Sequence, residues 1–303
     1  MNKTALPVTH SVNLASTAPL LFVLLWSTGF IGAKFGLPYA EPMTFLVWRF
    51  LAVLILMLGV VLLTRAPWPS SPRGMLHIAV TGLLIHAVYL GGVFISMHQG
   101  LPSGIAALVV GLQPLLTAVV AGLFLREQVR RAQWIGLGLG FIGVALVVAD
   151  KIAVIPSDAL FAMLVPAFVA LLGITAGTLY QKRFCPTFDL RTGAVLQYLP
   201  SLILVTLLAF SFESMDVTWN GSFLFALGWL VLVLSIGAVG LLNLLIRKGS
   251  AVNVASLFYL TPPTTALIAW LMFDETLPPL SLVGMAIAAT GVWLALRPNR
   301  NLA

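Results

Sequence analysis

GLPSGIAALVVGLQPLLTAVVAGLFLREQVRRAQWIGLGLGFIGVAL, residues 100–146, returns later as KGSAVNVASLFYLTPPTTALIAWLMFDETLPPLSLVGMAIAATGVWL, residues 248–294. A constant shift of 148 residues aligns the two without a gap and pairs Pro114 with Pro262, Glu127 with Glu275, Gly136 with Gly284 and Gly143 with Gly291. The same shift carries upstream, where Lys34 falls on Lys182 and Gly29 on Gly177. An apolar chain matches itself often by chance, but chance does not put its rare Lys, Pro and Glu residues in one register. The chain reads as two copies of one unit.

Of its 303 residues 60% are hydrophobic and 8% charged, against about 25% charged in a soluble protein. Lipid is therefore the expected solvent. A spanning helix needs about 20 mostly apolar residues. Ten segments qualify: 18–37, 42–64, 74–97, 101–125, 132–149, 158–181, 191–212, 222–245, 250–273 and 279–296. Each copy holds five. The expected divisions are a disordered cytoplasmic tail over 1–17, a first five-helix repeat over 18–149 and a second over 158–297. The apolar run after the tail is too long for the core of a cleavable signal.

The net charge of +7 suggests nucleic acid at first sight. The placement of the charges excludes it as a partner. With the N-terminus in the cytoplasm, Arg65, Arg73, Arg126, Arg130, Arg131, Lys182, Arg183, Arg191, Arg247, Lys248 and Arg297 all fall in inside loops or at inside helix ends. Only Lys34 and Lys151 fall outside, while every acid except Glu127 and Asp189 does. That is the positive-inside pattern, and it puts both termini in the cytoplasm. Five spans per copy is odd, so the second copy lies upside down relative to the first. The expected fold is an all-α membrane protein with ten transmembrane helices in two inverted five-helix repeats. Inverted repeats mark secondary transporters, with a substrate site near mid-membrane between the halves.

The pattern P-x-x-x-A…E…G…G over Pro114–Gly143 and again over Pro262–Gly291, with Trp26-Ser27 in the first span and Trp48-Arg49-Phe50 in the second, resembles the drug/metabolite transporter superfamily of EamA type. The resemblance covers nearly the whole chain. It implies export of small metabolites, amino acids among them, or of cationic drugs, by alternating access across the cell's inner membrane.

Several motifs invite stronger readings than they support. Gly138 to Gly143 fits the dinucleotide fingerprint G-x-G-x-x-G, but it lies within a span and no strand precedes it. Gly136 and Gly140, like Gly284 and Ala288, are four apart, a spacing that lets helices approach closely in lipid. Spans 5 and 10 are thus expected to pack closely, within the monomer or as a homodimer contact. His77, His86 and His98 point to different helix faces, so no metal site is expected. The single cysteine, Cys185, rules out an internal disulfide. No nucleophile with a base and no phosphate loop is visible, so neither an enzyme nor a cofactor is expected. Two readings from other classes remain: a lipid-modifying membrane enzyme needs paired polar groups near one interface, and a receptor or channel subunit would lack the inverted repeat.

The candidate substrate contacts are the polar and aromatic residues inside spans. Arg49 either snorkels outward or faces a pathway, where its planar fork suits a carboxylate. Its repeat partner is Gln197. His86 is either a packing residue or a proton carrier. Trp26, Tyr89, Tyr180 and Tyr259 either pack or stack against a planar or cationic substrate. Gln113 and Thr261 precede Pro114 and Pro262, which remove a helix donor each and free the carbonyls of Val110 and Phe258. Such bends are expected to act as hinges that line a polar cavity. Glu127 and Glu275 read as helix-end ties. No Asp or Glu lies deep in a span, which leaves proton coupling through a buried carboxylate without support.

Overall fold

The computed structural model describes residues 14–152, 157–185, 187–273 and 278–297. Residues 1–13 of the expected tail, and Glu275, lie outside these. Among the described residues the chain is helical throughout, with one isolated bridge, Ala40 to Val217.

Ten helices follow in order. They are α1 (Leu14–Gly36), α2 (Pro42–Thr64), α3 (Pro72–His98), α4 (Ser103–Phe124), α5 (Arg131–Ile152), α6 (Ser157–Phe184), α7 (Leu190–Phe212), α8 (Gly221–Lys248), α9 (Ala251–Phe273) and α10 (Pro279–Leu296). Among the described residues, nine helices are long and apolar enough to cross a membrane; α5 adds a shorter apolar stretch, Arg131–Val147. Helix α1 starts at Leu14, one turn before the hydropathy limit at 18. Hydropathy registers contact with lipid, whereas a helix can run on past the apolar zone.

Pairing obeys the repeat. The extensive contacts are α5 with α10, α2 with α7, α3 with α6 and α7, α1 with α8 and α9, and α4 with α6 and α9. Exchanging each helix with its partner five places on returns this set except α3 with α7, whose equivalent, α8 with α2, is a lighter contact. The α5–α10 contact shows what the repeated glycines do. A Cβ added at Gly143 would sit 2.4 Å from the Ala288 nitrogen, and one at Gly291 2.4 Å from the Gly140 nitrogen. The two small-residue faces therefore meet each other within the chain. Van der Waals packing at such spacing replaces the hydrophobic drive that lipid removes. Large apolar side chains such as Leu63, Leu123 and Phe212 stay exposed, as lipid-facing residues do.

The helices break at equivalent places. Helix α4 pauses at Gly111 and Leu112 and resumes at Gln113, with Pro114 in its first turn. Helix α9 tightens to a 3-10 turn over Leu257–Leu260 just before Pro262. The prolines, lacking an N–H, dictate both breaks. A second pair of irregularities had no sequence signal. Helix α3 widens to a π-helix over Leu83–Val88, and α8 does so over Leu230–Ala238. The π segments coincide under the repeat shift.

Candidate functional site

Single π turns inside α-helices re-aim side chains and concentrate at functional sites. Here the two π segments face a cavity between α1, α2, α3 and α8. It is narrow in this state and is lined by Trp26, Gly29, Phe30, Ala33, Arg49, Ile85, His86, Tyr89, Leu90, Val93, Phe94, Leu234 and Val239.

Arg49 is the only charged residue among them. It comes from the middle of α2, a run of 23 residues that holds its helix through Pro42 at the first turn and an unbroken apolar sequence. Only 3% of the residue is exposed, so it does not snorkel to the surface. Its Nε donates to the Ser235 hydroxyl at 3.0 Å, across to the π segment of α8. No other hydrogen bond to Arg49 occurs among the described residues, and its electrostatic neighbours are the neutral Tyr198 and Tyr89. The Arg191–Asp189 ion pair lies elsewhere. A guanidinium buried in a span with no carboxylate facing it is costly, and such residues mark pathways.

His86 stands beside it on the π segment of α3. Its ring stacks on Tyr198 with centroids 4.0 Å apart, and its Nε2 meets Gln197 Oε1 at 3.4 Å. His86 Nδ1 and Gln197 Nε2 are buried without a partner. Trp26 and Tyr89 form the opposite wall, their rings nearly parallel at 6.1 Å, with Phe258 edge-on to Trp26. Thus Trp26, Arg49, His86 and Tyr89 line one cavity, and Gln197 touches it through His86.

The other expected contacts are elsewhere. Tyr259 packs its ring against Gly140 of α5, where a Cβ would lie 2.5 Å from it. It belongs to the core between α4, α5, α9 and α10. Gln113 donates to Thr178 of α6 at 3.3 Å. Thr261 accepts through its carbonyl from Ser27 at 3.4 Å, tying α9 to α1. Tyr180 bonds His77 at 2.7 Å near the end of α6. The structure does not bring these four into the Arg49 cavity. Depth in the membrane is legible from the repeat shift, but the direction around each helix axis is not. Sequence reasoning also missed Ser235 and Tyr198. Ser235 carried a signal, since it is the lone polar residue between Ser222 and Asn243. Tyr198, next to Gln197, carried none.

The two ends of the bundle differ. One turn beyond the cavity, along α1 and α3, lies a larger hollow lined by Lys34, Leu37, Met97, His98, Leu101 and Ser103, among others. The repeat-equivalent place at the opposite end is closed. There Lys182 Nζ donates to the carbonyls of Ile246 at 2.9 Å and Gly249 at 2.5 Å, capping the C-terminus of α8. Gln181 bonds Asn243 at 2.9 Å, and Arg247 donates to the Phe188 carbonyl while lying over its ring. Cys185 is buried there, and burial pushes its thiol up. Glu127 accepts from the Ala251 N–H at 3.0 Å, so it ties α4 to the start of α9. At the Lys34 end, Glu213 accepts from the N–H groups of Met43 and Thr44, both at 2.7 Å, and Glu41 accepts from Ser214. Glu127 and Glu213 thus cap helix N-termini, as the macrodipole favours, while Glu41 ties down the loop after α7.

Among the described residues no group of His, Cys, Asp and Glu is placed to hold a metal. Comparison with known proteins gives one consistent picture. An inner membrane transporter of Escherichia coli (strain K12) named YedA, itself uncharacterized, is 27% identical over 272 residues, covering 89% of this chain and 87% of the relative. A probable amino-acid metabolite efflux pump of the same organism is 24% identical, covering 91% of this chain and 92% of its own. The transporter YvbV of Bacillus subtilis (strain 168), also uncharacterized, is 27% identical over 92% of this chain and 90% of its own. A crystal structure with 17% sequence identity superposes with a TM-score of 0.75 over 93% of this chain and 96% of its own, which shows the shared fold. The model of the EamA-like transporter family matches residues 14–149 and again 160–297, one match per repeat, and the chain belongs to that family.

Proposed function

We propose that this transporter exports small carboxylate-bearing metabolites, amino acids among them, across the inner membrane by alternating access. One observation carries the reading. Arg49 is buried in a cavity between apolar helices long enough to cross a membrane, held at Nε by Ser235, and faces no carboxylate among the described residues. Its remaining nitrogens form the planar fork that takes a carboxylate in two parallel bonds. A cationic drug meets the wrong charge in this cavity.

With the basic loops in the cytoplasm, both termini are cytoplasmic and the hollow at Lys34 opens outward. The Lys182 clamp then seals the cytoplasmic side. In the opposite state the repeat exchanges roles: the hollow at Lys34 closes and the Lys182 clamp releases. The breaks before Pro114 and Pro262 serve as hinges for this exchange. A homodimer through α5 and α10 engages their lipid-side faces, since the glycine faces already meet.

The test is Arg49→Lys. It keeps the charge but loses the fork. The variant is expected to insert and fold normally while exporting carboxylates poorly, with Arg49→Gln worse. Compounds lacking a carboxylate serve as the control. Export of amino acids into the medium that Arg49→Lys leaves unchanged sinks the reading. A metabolite profile of medium from overexpressing and deleted cells identifies the compounds.

A further inference from the structure

Resting on the carboxylate-export reading, we infer that the cavity selects organic monoanions with an apolar or aromatic body, carboxylates without an α-ammonium group, over zwitterionic amino acids. Charge arithmetic decides this. The lining carries one cation, Arg49, and no anion. All nine acidic residues lie in loops or at helix ends in the sequence, so none is available to receive an ammonium at this depth. A zwitterion adds a cation of its own and leaves the filled cavity at +1. A monoanion brings it to zero. In a desolvated site an unneutralised charge costs several kcal/mol, so the monoanion is preferred.

The polar surroundings agree in sign. Ser235 already accepts from Arg49. Gln197 Nε2, buried beside the cavity through His86, is a donor without a partner, which suits an anionic oxygen and repels an ammonium. The rest of the wall is apolar and aromatic: Trp26, Phe30, Phe94 and Leu234. It fits a hydrophobic body and offers a sugar or polyol nothing to bond.

A consequence follows for energetics. Each monoanion leaving the cytoplasm moves one negative charge toward the positive side of the membrane. That is downhill, by about fifty-fold in concentration for each 100 mV, and needs no coupled ion. The absence of a deep carboxylate in the sequence is then no handicap to an exporter.

The experiment uses the purified full chain in liposomes with a potential set by a potassium gradient and valinomycin. The probes are phenylpyruvate, phenylalanine and phenethylamine, which share an aromatic body and differ in charge: anion, zwitterion and cation. Phenylpyruvate uptake is expected to exceed phenylalanine uptake at least tenfold and to rise when the lumen is made positive. Arg49→Gln abolishes the preference; Arg49→Lys, which keeps the charge, is expected to retain it at a lower rate. Equal or faster phenylalanine transport, or phenylpyruvate transport indifferent to potential, overturns the inference while leaving carboxylate export standing. Phenethylamine outpacing both removes both readings. Binding gives a second measurement: phenylpyruvate should raise the melting temperature of the wild type in detergent and not that of Arg49→Gln. No stabilisation of the wild type overturns the inference as well.

Discussion

Lys34 and Lys182 are the same residue of the repeated unit, yet their surroundings differ. Lys182 is drawn onto the C-terminus of α8, where the carbonyls of Ile246 and Gly249 accept from it. Lys34 lines a hollow together with His98 and Leu101, the equivalents of those two residues. The two ends of the repeat are therefore built differently, one clamped and one hollow. Two inverted copies related by a strict two-fold would be open or closed at both ends alike. Opposite states in the two copies are what the proposed alternating access requires.

The sharpest way to break this comparison is Lys182→Met. It removes two charge-assisted bonds, each worth about 1.5–3 kcal/mol. The closed end should open far more often, by a factor of about a hundred or more. Cys185 reports it, since this cysteine is buried beside the clamp and is the only one in the chain. In purified protein its reaction with a maleimide is expected to accelerate at least tenfold, and transport is expected to collapse. A Cys185 that stays as protected as in the wild type shows that Lys182 is only a helix cap.

Burial bears on topology too. Cys185 carries little thiolate, the reactive form, because burial pushes its pKa up. It is therefore a poor probe of sidedness in cells. An exposed loop residue is better. In a Cys185→Ala background, Ser70→Cys is expected to resist a membrane-impermeant maleimide in intact cells, while Thr218→Cys reacts fully. The reverse result turns the molecule over and exchanges the outer and inner ends of the comparison.

The hinges should give a smaller effect. Pro114→Ala and Pro262→Ala restore a helix donor each, so expression should hold. Transport is expected to fall severalfold as α4 and α9 straighten. Full activity in both variants means the breaks are tolerated rather than used.

These expectations draw on parts of the molecule that were unequally legible in sequence. The ten spans, the inverted repeat and the breaks at the prolines come from length, register and the missing proline donor, all local properties. The pairing of α5 with α10 followed from glycine spacing, because only small residues let backbones approach so closely. The cavity was half legible. Arg49 and His86 stood out as polar groups in lipid, whereas Gln113, Tyr180, Tyr259 and Thr261 stood out equally and face other neighbours. What separates the two sets is the rotation of each helix about its axis. The π segments change that rotation within α3 and α8 by a backbone slip that leaves no mark in composition. Ser235 reaches Arg49 through such a segment.

The smallest effect concerns the closed end, at the start of α7. There Asp189 caps the helix through the Arg191 N–H, and the Arg191 side chain holds its carboxyl down to about 2. A carboxyl lowered by folding stabilises the folded state above its ordinary pKa, near 4, and loses that contribution as pH falls toward the lowered value. Between pH 5 and 8 the contribution is therefore constant. The pair is partly exposed and screened, so the effect is modest. Asp189→Asn keeps a capping oxygen and loses the charge. Its melting temperature at pH 7 is expected to fall by about 1–2 °C, the scale of a weakened cap. The gap to the wild type should shrink below pH 4 and close near pH 2. Transport should be untouched, because this cap belongs to α7 itself and not to the clamp between α6 and α8. A large loss of transport in Asp189→Asn would extend the clamp across the α6–α7 loop, through Arg247 and the carbonyl of Phe188.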